Sequence, residues 1–309
     1  MRWVAKAVVQ KALSYAPRSD DLNYVLQHRV YRSLPAGDTH ARTKFARARR
    51  QYETFLEHAS VEDPARAVFY EFGVGWDLRV PLAYASLGVE RQILVDLHPH
   101  ARPELVNDSI RRLDAARALH AEELGRPLRT LGPPDIERIS DLEGRFGIAY
   151  LAPRDARATD LAPRCVDFVS STDTLEHVPE DDIALILAEC RRLLRPGGVL
   201  SCRIDLEDHY FRFDRNLSRY NFLRYSDRSW ALVNSSLHYQ NRLRYPDYVR
   251  LVRDAGFEIV RERVSWASEE QLAELSRLPL AERYRDGYTL EELGVRGVTL
   301  VAKPSAATA

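Results

Sequence analysis

Five short apolar runs, each bounded by Gly, Pro or Asp, alternate with stretches of helical period across residues 67–205. The runs are AVFYEFG (67–73), RQILVDL (91–97), GIAYLAP (147–153), VDFVSST (166–172) and GGVLSCRID (197–205). Runs of this length, apolar on both faces, suit strands buried from both sides, as in a parallel sheet. Parallel neighbours need long crossovers, and the intervening stretches supply them. The clearest is DDIALILAECRRLLRP (181–196), which opens on Asp, has apolar residues at 183, 186, 187, 193 and 194, and stops at Pro196-Gly-Gly. YPDYVRLVRDAGFEIVRERVSW (245–266) gives a helix, a Gly256 stop and a sixth strand, and VRGVTLVAKP (295–304) a seventh. The expected fold is α/β, a doubly wound, mostly parallel seven-stranded sheet.

Residues 1–65 read as an N-terminal helical extension, in which RTKFARARRQYETFLEHA carries apolar and aromatic positions at helical spacing. Lys6 and Lys11 interrupt the opening MRWVAKAVVQKALSYAP before it reaches signal-peptide character, so a helix packed on the domain is expected. Peripheral membrane contact through Val4, Val8 and Val9 is the alternative. No stretch approaches ~18 uncharged apolar residues, so no membrane span is expected. The sheet domain is assigned to 66–303, with an insertion at 207–245 and a disordered tail at 304–309. Lys+Arg and Asp+Glu both number 45, which speaks against a nucleic-acid partner. Cys165, Cys190 and Cys202 lack metal-type spacing and fit buried thiols in a reducing cytoplasm.

Ligands of doubly wound sheets sit beyond the carboxyl ends of the strands. There the first strand runs into Glu71-Phe-Gly73-Val-Gly75. Gly73 and Gly75 can take backbone angles closed to other residues and let a ligand approach the main chain. Position 77, where a dinucleotide turn would place a third glycine, is Asp. An acid there repels a pyrophosphate but suits a ligand carrying an ammonium and a sulfonium. The second strand ends in Val95-Asp96-Leu97, and a carboxylate at that place can accept both hydroxyl hydrogens of a ribose.

These pieces, with APRDARATDL (152–161), VDFVSSTDTLEHV (166–178) and ECRRLLRPGGVL (189–200), resemble the class I S-adenosylmethionine-dependent methyltransferases in order and spacing. The resemblance implies a seven-stranded sheet with an antiparallel last strand and S-adenosylmethionine as cofactor. It implies that Glu71, Gly73 and Gly75 line the methionine and ribose moieties. Asp96 would hold the ribose and Leu97 pack on adenine. Asp155 and Ala156 would read the adenine edge, and Ser171 or Thr172 face the methionine part. Asp77 departs from the family's third glycine.

A hydroxyl acceptor needs a base, because an alcohol is a poor nucleophile until its proton leaves. Asp173-Thr-Leu-Glu176-His177 follows the fourth strand and Asp205-Leu-Glu207-Asp208-His209 the fifth. One reading makes His209 the general base, with Asp208 or Asp205 orienting its ring and His177 beside it. A second has Asp173, Glu176, His177 and His209 hold Mg²⁺, as some family members do; a third makes Glu176 and His177 structural or contacts to the cofactor.

The insertion at 207–245 holds nine of the chain's 29 aromatic residues and seven arginines, with Asn216, Asn221, Asn234, Gln240 and Asn241. Its wording is also similar to methyltransferases of glycan assembly. A sugar, glycan or polyhydroxylated small molecule is therefore the expected acceptor. The plainer alternative is a lid that packs its aromatics on the sheet. For the whole chain, a nicotinamide-linked oxidoreductase and a silent cofactor-binding partner protein are the competing readings.

Overall fold

The computed structural model describes residues 2–16, 19–25, 28, 34–35 and 37–305. Among them, seven apolar segments pair into one sheet: β1 (Val68–Phe72), β2 (Arg91–Val95), β3 (Ile148–Leu151), β4 (Val166–Thr172), β5 (Leu194–Asp205), β6 (Phe257–Ser265) and β7 (Gly297–Pro304). The spatial order is β3-β2-β1-β4-β5-β7-β6. Strands β1 to β5 are parallel, and β7 runs antiparallel between β5 and β6. The order reverses between β1 and β4, so a crevice opens beyond their carboxyl ends. This is the class I methyltransferase arrangement that the sequence led us to expect.

Helices α1 (Arg2–Leu13), α2 (Ser19–Val25), α3 (Asp38–His58) and α4 (Arg79–Leu87) precede or follow β1. On α3, Phe45, Ala48, Tyr52 and Phe55 recur at helical spacing and enter the same apolar cluster as Phe69 of β1, Tyr84 of α4 and Phe168 of β4. The Phe55 ring lies 4.8 Å from that of Phe69 and 5.6 Å from that of Phe168. The extension before residue 66 thus shares its core with the sheet. The other face is covered by the helices Glu180–Leu193 and Tyr245–Asp254. A third apolar cluster joins Trp3 and Ala7 of α1 to Tyr210, Tyr220, Phe222 and Trp230 of the insertion. Val8 and Val9 face outward, and no described helix is long and apolar enough to cross a membrane.

Two boundaries differ from the sequence reading. The helix expected over 181–196 ends at Leu193, because Leu194 already pairs with Val166. The helix after the glycine turn starts at Arg79, because Leu78 takes a left-handed φ of 48°. Pro304 belongs to β7, and 306–309 lie outside the described residues. Phe55→Ala removes a ring from the main core, so stability should fall by about 3–5 kcal/mol in denaturant unfolding. A loss below ~1 kcal/mol would show that α3 is only peripheral.

Candidate active site

Strand β1 delivers Glu71 and the glycine turn to the crevice. Gly73 has φ +68°, and a Cβ there would lie 2.2 Å from Thr174 Cγ2, so only glycine lets the β1 and β4 turns approach. Thr174 Oγ1 donates to Gly73 O at 3.1 Å. Gly75 has φ +78°, and its Cβ direction is clear for 4 Å. Asp96 follows β2; its Oδ1 accepts the Val74 amide at 3.1 Å and its Oδ2 the Tyr150 hydroxyl at 3.0 Å. Each oxygen keeps a lone pair for a ribose hydroxyl.

Burial pushes Glu71 up to about 8, against the pull of Lys44. It pushes Asp96 up to about 7, against its two hydrogen bonds. Glu71 Oε2 and Ser171 Oγ are buried without a hydrogen-bond partner among the described residues, and Thr172 stands beside Glu71. Such orphaned atoms at the ends of β1 and β4 call for a polar ligand. Leu97 is open at the mouth, 57% exposed.

Three residues are engaged otherwise than the sequence suggested. The Asp155 carboxylate is taken up by Arg157, at 2.6 Å to Nη2, and Arg157 also reaches Asp182. Ala156, its neighbour, packs against the apolar cluster on the β4 side. Asp77 pairs with the buried Arg79 at 3.0 Å, so its charge is balanced from within.

The second group of side chains lies past β4 and β5. Glu176 and His177 form the turn Leu175–His177, and His209 follows β5. These three bring ligand-type atoms within 4.8 Å of one another. His238, which the sequence reading passed over, completes the group, its ring centroid 5.8 Å from that of His209. His177 Nδ1 meets Tyr239 O at 2.6 Å; a carbonyl only accepts, so Nδ1 carries the proton and Nε2 the free lone pair. Burial lowers the His177 and His209 pKa values, so both imidazoles are neutral at pH 7.

Asp208 is not the partner of His209. Its carboxylate turns into the fold, accepting the Tyr210 amide at 2.7 Å and Asn221 Nδ2 at 3.1 Å. The acid that faces the ring is Asp205, whose Oδ2 lies 3.9 Å from His209 Nε2. Asp173 also stands apart from the cluster, paired with Lys44 at 3.1 Å and with Arg47 and Arg203. The converging donors are therefore two imidazoles and one carboxylate. That set does not fit Mg²⁺, which takes oxygen ligands, and suits a borderline divalent ion better.

The insertion is mainly a packed lid. Tyr210, Tyr220, Phe222 and Trp230 are buried, and Arg244 donates to Leu206 O, Leu293 O and Val295 O. Its amides hold the cluster: Gln240 Oε1 accepts the His209 amide at 3.1 Å, and Asn241 N donates to Glu176 O at 3.0 Å. Lys44 and Arg47 of α3 were not anticipated either; their only signal is the basic stripe of KFARAR. Lys44 acts electrostatically on Glu71, Glu176 and His177, so cradle and histidine cluster share one wall.

Because both cradle acids are raised, a cationic ligand that needs them ionised must displace protons. Its affinity should fall by roughly tenfold per pH unit for each such acid as pH drops below 7. Calorimetry with S-adenosylmethionine between pH 6 and 8.5 checks this, and a flat profile would contradict it. Gly73→Ala, forced against Thr174, should abolish that binding.

Residues 136–202 match a family model described as a methyltransferase domain. No curated protein matches the chain. Among solved structures, a candidate methyltransferase from Bacillus halodurans C-125 is 16% identical, with 83% of this chain and all of that one covered, at a TM-score of 0.42. A SAM-dependent methyltransferase from Methanosarcina mazei is 15% identical over 78% and 93% of the two chains, at a TM-score of 0.41. A candidate sarcosine dimethylglycine methyltransferase from Galdieria sulphuraria is 16% identical over 85% and 86%, at a TM-score of 0.43. By its sheet order the chain has the class I methyltransferase fold, and residues 136–202 carry the methyltransferase-domain match.

Proposed function

We propose that the protein is an S-adenosylmethionine-dependent O-methyltransferase whose acceptor is a hydroxyl of a sugar, glycan or other polyhydroxylated small molecule. The observation that carries this reading is the shared wall between a nucleoside-type cradle and a neutral, buried histidine. S-adenosylmethionine would supply an electrophilic methyl group for in-line displacement. Asp96 would hold the ribose hydroxyls, and Glu71 and Ser171 would meet the methionine part. Their burial keeps water from the reacting centre, so positioning and desolvation supply much of the rate.

His209 supports the choice of a hydroxyl acceptor. As a free imidazole it can take the acceptor's proton while the new C–O bond forms, and Asp205 stabilises the resulting imidazolium. Gln240 and the His177–Tyr239 contact hold the ring's surroundings in place. With Asp173 engaged by three cations, base catalysis by His209 is preferred over a magnesium-assisted route.

His209→Ala should lower kcat by about 10²–10⁴ while S-adenosylhomocysteine affinity stays within about twofold. Unchanged turnover would remove the base assignment. Asp96→Ala should abolish cofactor binding, and a thermal shift produced by NAD but not by S-adenosylhomocysteine would overturn the methyltransferase reading. EDTA followed by Mg²⁺ should leave turnover unchanged, and Mg²⁺-dependent recovery would restore the metal.

A further inference from the structure

We propose that the cavity between α3 and the β5–β7–β6 edge of the sheet binds the phosphate of a phosphorylated acceptor. This rests on the methyltransferase reading and adds the chemical class of the acceptor. The cavity measures about 410 Å³ and is lined by Arg47 and Arg50 of α3, Arg203 of β5 and Arg263 of β6.

Sequence and topology bring these four together from distant places. On α3, Thr43, Arg47, Arg50 and Thr54 line the cavity at spacings of four, three and four residues, which is one stripe of a helix. Across the sheet, Arg203 is paired with Thr299, and Thr299 with Arg263. Directly paired residues of antiparallel strands point to the same face, so both guanidinium groups rise toward α3.

Charge in this cavity is unbalanced. Arg47 and Arg203 share a single carboxylate, Asp173, which Lys44 also contacts. Arg50 and Arg263 have no ion pair among the described residues. The nearby Asp205 is paired with Arg212. Burial, and then the neighbouring Arg47, pushes Arg203 down to about 10, which accords with surplus positive charge. Arg263 is half-buried and Arg50 exposed, and cations gathered without counter-charges repel one another, a cost that a bound anion offsets.

A phosphate monoester answers the arrangement best. Its two charges and tetrahedral oxygens take several planar guanidinium forks, whereas one carboxylate fills little more than one. The volume leaves room for a sugar ring beside the phosphate. A nucleic-acid backbone is disfavoured, since the chain's net charge is zero and these four arginines line a single cavity rather than a long track. The location suits an acceptor. Arg203 and Asp205 are two residues apart on β5 and so share a face, and Asp205 faces His209.

The test is calorimetry on the full chain, with S-adenosylhomocysteine affinity measured separately. Inorganic phosphate and glucose 6-phosphate should bind, glucuronate should bind roughly tenfold more weakly, and glucose should not bind. Arg50→Gln with Arg263→Gln should weaken both phosphates roughly tenfold or more and leave S-adenosylhomocysteine affinity within about twofold. Arg50→Gln alone, at an exposed position, should give part of that loss if the double variant folds poorly. Glucuronate binding as tightly as glucose 6-phosphate would overturn the phosphate assignment. Phosphate that does not bind, or binds the variants as well as the parent, would overturn the site. Loss of S-adenosylhomocysteine binding in the parent would instead sink the cofactor reading and leave the anion result standing.

Discussion

The approach of the β1 turn to the β4 turn, closed by Gly73 against Thr174, is the constraint from which the site follows. In a sheet whose order reverses between these two strands, their carboxyl ends diverge and leave a crevice. Gly73 without a Cβ allows the two turns to touch, and its amide is held by Val95 O of β2. That contact fixes Glu71 on one side and Thr172–Asp173 on the other. A side chain at residue 73 would push the turns apart and separate the cradle from the Glu176, His177 and His209 cluster.

Asp173 links the two regions. Held at φ +58°, it gathers Lys44 and Arg47 from α3 and Arg203 from β5 onto one carboxylate. This explains why α3 belongs to the sheet's core rather than standing off as an appendage. Its apolar stripe, Phe45 to Phe55, fixes the helix against β1 and β4, and its basic stripe then has a defined height above the crevice. The same placement brings Lys44 near Glu71, Glu176 and His177, where it opposes the upward shift that burial gives the two acids and helps to keep the imidazole neutral. Packing and electrostatics at this helix are one arrangement seen from two sides.

The sheet was legible because short, largely apolar runs such as β1 and β4, buried on both faces and followed by glycine or acid, alternate with stretches of helical period. Glu71, Gly73 and Asp96 were legible for the same reason: strand ends put them at the crevice whatever the loops do. The choice between Asp205 and Asp208 was not. Both lie within four residues of His209, and only the fold shows that Asp208 is consumed by the turn into Tyr210 while Asp205 still points along β5. The ligand-free role of Asp77 was hidden because its partner, Arg79, is basic in sequence yet buried in fact. Lys44, Arg47 and His238 come from segments far along the chain, and composition carries no signal of their convergence.

Composition alone does not say what the rings of the aromatic insertion do. Rings and amides suggested a sugar platform, yet the four most buried rings build a core of their own with α1. What this core does is hold Gln240 and Asn241 rigid, and these bind the backbone at His209 and Glu176. If His209 is the base proposed above, it must be held to within about half an ångström to work, and a loop cannot do so unaided. Residues 207–245 are thus best understood as scaffolding for His209. On the proposed reading, recognition of the acceptor falls to polar walls elsewhere, among them the arginine-lined face of α3 and β5–β7–β6.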